Sequence, residues 1–252
     1  MYDEDDLSLL DVDDTPESPL DQMAAVDDPS VVAAQPDVED MLQLMRAPEA
    51  PQRMLATRAF CEIQEPRAVP HLIELLTDSC PLVRVSAAYA LGHNPSVTAV
   101  EPLIQQLELD WNGYVRKGVV WALGNCRDRK SLSPLIEALK TEISAVRLWA
   151  ASSLGQMAEV DEESARAAIA PLVESLAHDS MPAVRSNSAW SLGQLCQAIE
   201  KREFYTQAVD ALIKALQDGE LGVQEDAKNS LLKLGDTRGL QVIEELEMEG
   251  LL

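Results

Sequence analysis

The stretch Val83-Arg84-Val85-Ser86-Ala87-Ala88-Tyr89-Ala90-Leu91-Gly92 decides the fold, because the chain keeps returning to its pattern. The Val-Arg pair recurs at Val115-Arg116, Val146-Arg147 and Val184-Arg185. Leu-Gly follows each Val by eight residues: Leu123-Gly124, Leu154-Gly155 and Leu192-Gly193. Gln52-Arg53 with Phe60-Cys61, and Val223-Gln224 with Leu231-Leu232, are degenerate copies at the two ends. Between the copies lie the apolar runs that begin at Val69-Pro70, Val100-Glu101-Pro102, Leu132-Ser133-Pro134, Ile169-Ala170-Pro171 and Val209. Each unit reads as two helices of about a dozen residues. Neither can bury an apolar stripe alone, so the units must stack. The sequence therefore predicts an all-α fold, a right-handed α-solenoid of about six helical-hairpin repeats over residues 37–252. A disordered acidic N-terminal tail over residues 1–36 precedes it.

Finer regularities follow from the same register. Arg-to-Arg spacings of 31, 32, 31 and 38, then 39 to Gln224, give the last two full units some seven extra residues each, at 158–168 and 198–208. Proline in the second helices is expected in the first turn, where its missing N–H has no partner to lose. An Asp stands six residues before Arg84, Arg116 and Arg185 (Asp78, Asp110 and Asp179), and Asp218 keeps the place before Gln224. Thr141 breaks the series before Arg147. Such an Asp can cap a helix start or accept a charge-assisted bond from the Arg of its own or the next repeat. One catalytic site does not need its ligands repeated along a solenoid, so these pairs are read as structural.

This pattern resembles the HEAT-repeat superfamily. The form V-R-x-x-A-A-x-A-L-G at Val83–Gly92 resembles the phycobilisome-lyase type of HEAT-like repeat. The acidic start Met1-Tyr2-Asp3-Glu4-Asp5-Asp6-Leu7 is also similar to a cyanobacterial HEAT-repeat family, the IaiH proteins. The first resemblance implies a helical-repeat scaffold or a bilin lyase subunit. The second implies a partnership with an A-type iron–sulfur carrier protein.

A helical projection at 100° per residue, with each Arg as position 0, sorts the Val-Arg helices into two arcs. Positions −1, +3, +4, +6, +7, +8 and +10 are mostly Val, Ala, Leu and Gly and form the buried arc. Positions +1, +2, +5 and +9 face away. In HEAT-like arrays this helix lines the concave side, so those positions are expected to face a groove. They hold Tyr89, Trp121 and Trp190 at +5, Trp149 at +2, and His93, Asn125, Gln156 and Gln194 at +9. Three of four tryptophans thus share one face in a chain with only 4% aromatics. These eight residues are the candidate partner-binding groove. The bland reading is that the aromatics pack flat on neighbouring helices; the functional one is anchors with a polar rim.

Charge divides the chain. Of 252 residues, 20 are Lys or Arg and 43 are Asp or Glu, giving −23. Residues 1–45 hold fourteen acids and no base, so residues 46–252 carry −9. An acidic chain does not bind nucleic acid or anionic membranes by general electrostatics. Like charge with Pro16, Pro19, Pro29 and Pro36 predicts an unpacked tail. Leu7, Leu9 and Leu10 form an apolar motif inside it; the bland reading is a solubilising tail, and the sharper one is a segment that folds on a partner or on the body of the same chain. No run reaches the ~18 apolar residues of a membrane span, and no leader pattern is evident, so no membrane insertion and a cytoplasmic location are expected.

No catalytic constellation or metal-ligand spacing stands out. Cys61, Cys80, Cys126 and Cys196 lack a Cys-x-x-Cys pair, and His71, His93 and His178 are isolated. His93 with Asn94 stands at the groove edge. Arg127-Asp128-Arg129-Lys130 reads as a solvated loop, with a dock for the acidic tail or an anionic ligand as the alternative. The expected function is a non-enzymatic protein-binding scaffold or chaperone without cofactor, with an iron–sulfur carrier or a phycobiliprotein as partner. The alternative is a phycobilin lyase subunit that binds phycocyanobilin non-covalently. Its aromatic stripe would stack on the pyrroles, and Lys117, Arg127 or Arg129 would meet the propionates.

Overall fold

A computed structural model describes residues 37–200 and 202–251 of the chain. The expected tail and its Leu7, Leu9 and Leu10 lie outside the described residues. The described residues form thirteen α-helices: α1 (Val38–Leu44), α2 (Ala50–Ala59), α3 (Val69–Leu75), α4 (Pro81–His93), α5 (Val97–Leu109), α6 (Gly113–Cys126), α7 (Leu132–Thr141), α8 (Ser144–Gly155), α9 (Glu162–His178), α10 (Pro182–Ala198), α11 (Glu203–Ala215), α12 (Leu221–Leu234) and α13 (Thr237–Met248). After α1, consecutive pairs make six hairpins. The even-numbered helices, which carry the Val-Arg pattern, form one row (the A row); α3 to α13 form the other (the B row).

The repeated apolar residues build one continuous core. In the A row Val83, Leu91, Val115, Leu123, Val146, Leu154 and Leu192 have no solvent exposure. Their B-row counterparts Leu72, Leu103, Leu135, Leu172 and Leu212 have none either. Successive A helices pack more intimately on one another than successive B helices do. Closer packing on one side is what a concave A row, expected from the sequence, requires.

An ion-pair ladder fastens each repeat to the next. Each ladder Arg donates twice to a carboxylate one repeat on: Arg53 to Asp78, Arg84 to Asp110, Arg116 to Glu142, Arg147 to Asp179 and Arg185 to Asp218, with Nε···O distances of 2.6–2.8 Å. The Nη1 of Arg84, Arg116 and Arg185 also donates to the carbonyl of the Asp six residues earlier. The sequence left the place before Arg147 vacant at Thr141. Glu142, one residue later and one methylene longer, fills it, and its carbonyl also takes Arg147 Nη1 at 2.8 Å. Burial pushes the Asp110 carboxyl up, but bonds from Arg84, the Asn112 amide and Gln106 outweigh it and hold it below its ordinary range. For Asp218 the bond from Arg185 is the largest influence and lowers it likewise.

One expectation needs correction. Pro70 does lie in the first turn of α3, but Pro102 and Pro171 lie inside α5 and α9. In α3 and α7 a 3-10 turn precedes the α-helix, whereas α5 and α9 open directly as α-helix behind the caps Ser96 and Asp161. The carbonyls those prolines cannot reach belong to Thr98 and Ala167, both exposed residues. The two insertions also differ in use. The first goes into a 3-10 turn at Gln156–Glu159 and a seventeen-residue α9; the second stretches α10 to seventeen residues.

Candidate functional site

The A-row residues selected from sequence fall into a joined group and an outlier. Tyr89 of α4 and Trp121 of α6 have ring centroids 5.6 Å apart, and Trp121 meets Trp149 of α8 edge-on at 6.5 Å. His93 lies 5.0 Å from Trp121. Lys117 Nζ sits 5.6 Å from the Trp149 ring centroid. Four consecutive contacts thus run across three repeats. Trp190 of α10 stands apart from this chain of rings and is 37% exposed. Asn125 near the end of α6, Gln156 at the C-cap of α8 and Gln194 one turn before the end of α10 are half-buried, and the Gln156 side-chain oxygen is itself buried.

Glycine explains how bulky rings fit between close helices. A Cβ on Gly92 would stand 2.2 Å from the Trp121 ring, and one on Gly118 would stand 3.3 Å from Tyr89. Each helix of this pair lays an aromatic on the other's glycine. Tyr89 and Trp121 therefore pack together while each residue stays partly exposed. The open arc is narrower than the projection predicts. Val85, Ser86 and Gly118, at +1 and +2, are buried, because Tyr89 covers Gly118 and successive A helices close over this strip. Positions +5 and +9 stay open, and at +1 of α6 and +2 of α8 Lys117 and Trp149 remain partly exposed.

His93 and Asn94 separate in role. His93 is exposed beside Trp121, while Asn94 is a buried clamp. Its amide donates to the carbonyls of Phe60 (2.8 Å) and Ala90 (2.9 Å) and accepts from the Glu65 N–H (2.7 Å). Arg127 and Arg129 are not in the groove: they pair with Glu159 at 3.0 Å and Glu163 at 2.6 Å along the loops that lead into the B helices. Only Lys117 of the three basic residues stands among the rings. Burial pushes the Cys61 and Cys196 thiols up to about 12, so neither is a thiolate at neutral pH. Among the described residues no group of three or more His, Cys, Asp or Glu is placed to hold a metal ion.

Sequence reasoning missed the fourth tryptophan. Trp111, in the loop between α5 and α6, is 76% exposed, with the Arg84 guanidinium 6.0 Å from its ring. It lies outside the Val-Arg register; its place beside Asp110 in the loop was the only available signal.

The chain matches the family of HEAT repeats over residues 38–107, 100–193 and 169–247. No curated protein matches the sequence. Among solved structures it is similar to the complex of CpcE and CpcF of phycocyanin lyase from Nostoc sp. PCC7120, with TM-score 0.60 and 22% identity over 87% of this chain and 85% of that one. It is similar to an engineered protein with TM-score 0.60 and 23% identity, over 79% and 98% of the two chains. A designed armadillo repeat protein in complex with peptide (KR)4 gives TM-score 0.58 and 20% identity, over 79% and 99%. At these identities the likeness is one of fold. Among the described residues no helix is long and apolar enough to cross a membrane.

Proposed function

We propose a function from the premise that this chain belongs to the HEAT-repeat family: it is a non-enzymatic scaffold that holds a segment of another protein along its A row. One observation carries this reading. Tyr89, Trp121 and Trp149 form a joined, partly accessible aromatic surface across three repeats. Aromatic side chains of this kind anchor interfaces, and a ring of polar groups such as Asn125, Gln156 and Gln194 suits the rim. The designed armadillo protein of similar fold is a peptide complex, which supports a peptide-sized occupant here. The partner implied by the resemblance of the acidic start is an A-type iron–sulfur carrier. Titration of purified carrier into the wild-type chain and into the Trp149→Ala,Trp190→Ala variant tests this. Measurable binding that the variant loses, at an unchanged melting temperature, is expected. Equal binding by both proteins removes the groove from the account.

A second reading has its own support. The similarity to the phycocyanin lyase complex spans most of both chains, so a bilin lyase subunit or a phycobiliprotein-binding role fits the same surface. Lys117 is then the one groove cation near the rings for two propionates. Mixing the protein with phycocyanobilin separates the readings: an absorption shift supports this one, and an unchanged spectrum without transfer to a phycobiliprotein removes it.

A further inference from the structure

The N-terminal ends of the A helices carry a surface that the groove does not use. The connections 77–82, 109–114, 141–145 and 178–183 each lead from a B helix into the next A helix, and the ion-pair ladder runs through all four. They therefore line one edge of the stack. Each contains a single acid, the ladder carboxylate, and no Lys or Arg. Asp78, Asp110, Glu142 and Asp179 are each matched by a ladder Arg. In a chain of −23 this edge is neutral. It is also apolar. Of the fourteen large hydrophobic residues exposed among the described residues, six stand here: Leu82, Leu109, Trp111, Tyr114, Ile143 and Met181, at 43–80% exposure. Two of them are held in place. Trp111 lies against the Arg84 guanidinium, and Ile143 fills the space over Gly113, where a Cβ would stand 2.6 Å from its Cδ1. Side chains ordered beforehand lose little freedom on binding. Together the six expose on the order of 700 Å². That exceeds the roughly 300–600 Å² of an ordinary monomer patch and approaches the ~800 Å² per partner of a stable interface.

We propose that this edge is the interface between two copies of the chain, related by a two-fold axis between the second and third connections. In such a contact one patch meets its own copy in the opposite direction. The axis sets Trp111 and Tyr114 against the partner's Ile143, and Leu82 against the partner's Met181. The bulky turn at 110–112 thus meets the turn at 142–143, the shortest on the edge. The margins match in charge as well. Exposed Glu108, near the end of α5, comes beside the partner's Lys140, near the end of α7, and symmetry makes this pair twice. A chain of −23 repels its own copy over most of its surface, so a neutral apolar edge is where two copies can meet. The dimer is independent of the groove: a protein held on the A row leaves the state of Trp111 as it was.

Sedimentation equilibrium of the full chain tests this. A species of twice the chain mass, half-formed at roughly 1–50 µM, is expected. Trp111→Lys,Ile143→Lys should be monomeric with an unchanged melting temperature, since both side chains are exposed. Glu108→Lys and Lys140→Glu should each raise the dissociation constant about 5-fold, and the two together should restore it. That rescue belongs to this two-fold arrangement and to no general stickiness of the edge. Hydroxyl-radical footprinting along the dilution series should show Trp111 losing reactivity as the dimer forms, with Trp190 unchanged. A wild-type chain still monomeric at about 100 µM, well above the expected range, overturns the inference. A dimer that survives Trp111→Lys,Ile143→Lys overturns it, and so does a double charge swap that restores nothing. A Trp111 already protected in the dilute monomer shows the edge covered from within its own chain and overturns it too. The groove reading is untouched by any of these results.

Discussion

The α4–α6 layer and the layers that follow use the same Leu-Gly motif for opposite ends. In the later layers each glycine receives a serine from the next A helix: Ser153 against Gly124, Ser191 against Gly155, Ser230 against Gly193. The serine hydroxyls donate to carbonyls of the preceding helix, Val120 at 3.0 Å, Ala151 at 2.8 Å and Ala189 at 3.1 Å. Those layers are closed, buried and polar at one point. In the first layer Gly92 receives the Trp121 ring instead, and Gly118 receives Tyr89. A missing Cβ thus serves helix-to-helix closure in one region and seats a groove aromatic in the other. A repeat protein can turn a packing position into a seat for a partly exposed aromatic ring without changing its backbone pattern.

The ladder should show the largest effect, and it sets the scale because it runs through both regions. Arg84 and Asp110 are 8% and 7% exposed. Arg84→Ala strands the buried carboxylate and is expected to cost about 3–5 kcal/mol in urea unfolding. A loss below about 1 kcal/mol, the size of an exposed pair such as Arg238–Asp210, would show that the ladder is ornamental. The ladder also sets the acid limb. Folded Asp78, Asp110, Asp179 and Asp218 titrate below their ordinary range. Their contribution is therefore complete above the unfolded value of about 3.9 and is lost as pH falls through the lower folded values. Asp218→Asn should flatten stability against pH below about 4; an unchanged slope contradicts the assignment.

Next in size, glycine substitutions split the two regions. A Cβ on Gly124 would stand 2.6 Å from Ser153 Oγ and 3.1 Å from its Cα, so Gly124→Ala must move backbone and should cost about 1–3 kcal/mol. For Gly92→Ala the three nearest atoms all belong to the partly exposed Trp121 side chain and none to backbone, so a side chain rather than a helix has to shift. A smaller loss of stability with a red-shifted tryptophan emission is expected. Equal losses and an unshifted emission would erase the distinction. Smaller still, Ser191→Ala removes one bond to a carbonyl and should cost about 1 kcal/mol by thermal melting. A neutral result would leave van der Waals closure as the whole role of the serine.

The architecture was legible because the Val-Arg and Leu-Gly spacing is a backbone requirement that tolerates few residues. The ladder was legible for Asp78, Asp110, Asp179 and Asp218, and hidden at Glu142, whose longer side chain reaches the same point from a shifted position. The helical projection found Tyr89, Trp121, Trp149 and Trp190 but could not see that Tyr89 covers Gly118, since that depends on the distance between helices. Proline placement in α5 and α9 escaped because the choice between a 3-10 and an α-helical first turn is made by tertiary packing. Trp111 escaped because loops carry no periodicity.

Its exposure makes Trp111 the internal control for the central claim. Hydroxyl-radical footprinting of the chain with and without the purified A-type carrier, and likewise with phycocyanin, reads each tryptophan separately. The account predicts that whichever partner binds protects Trp149 and Trp190 in the groove and leaves Trp111 at the loop edge as reactive as before. Protection of Trp111 with unchanged Trp149 and Trp190 would contradict it and move the binding surface to the loops.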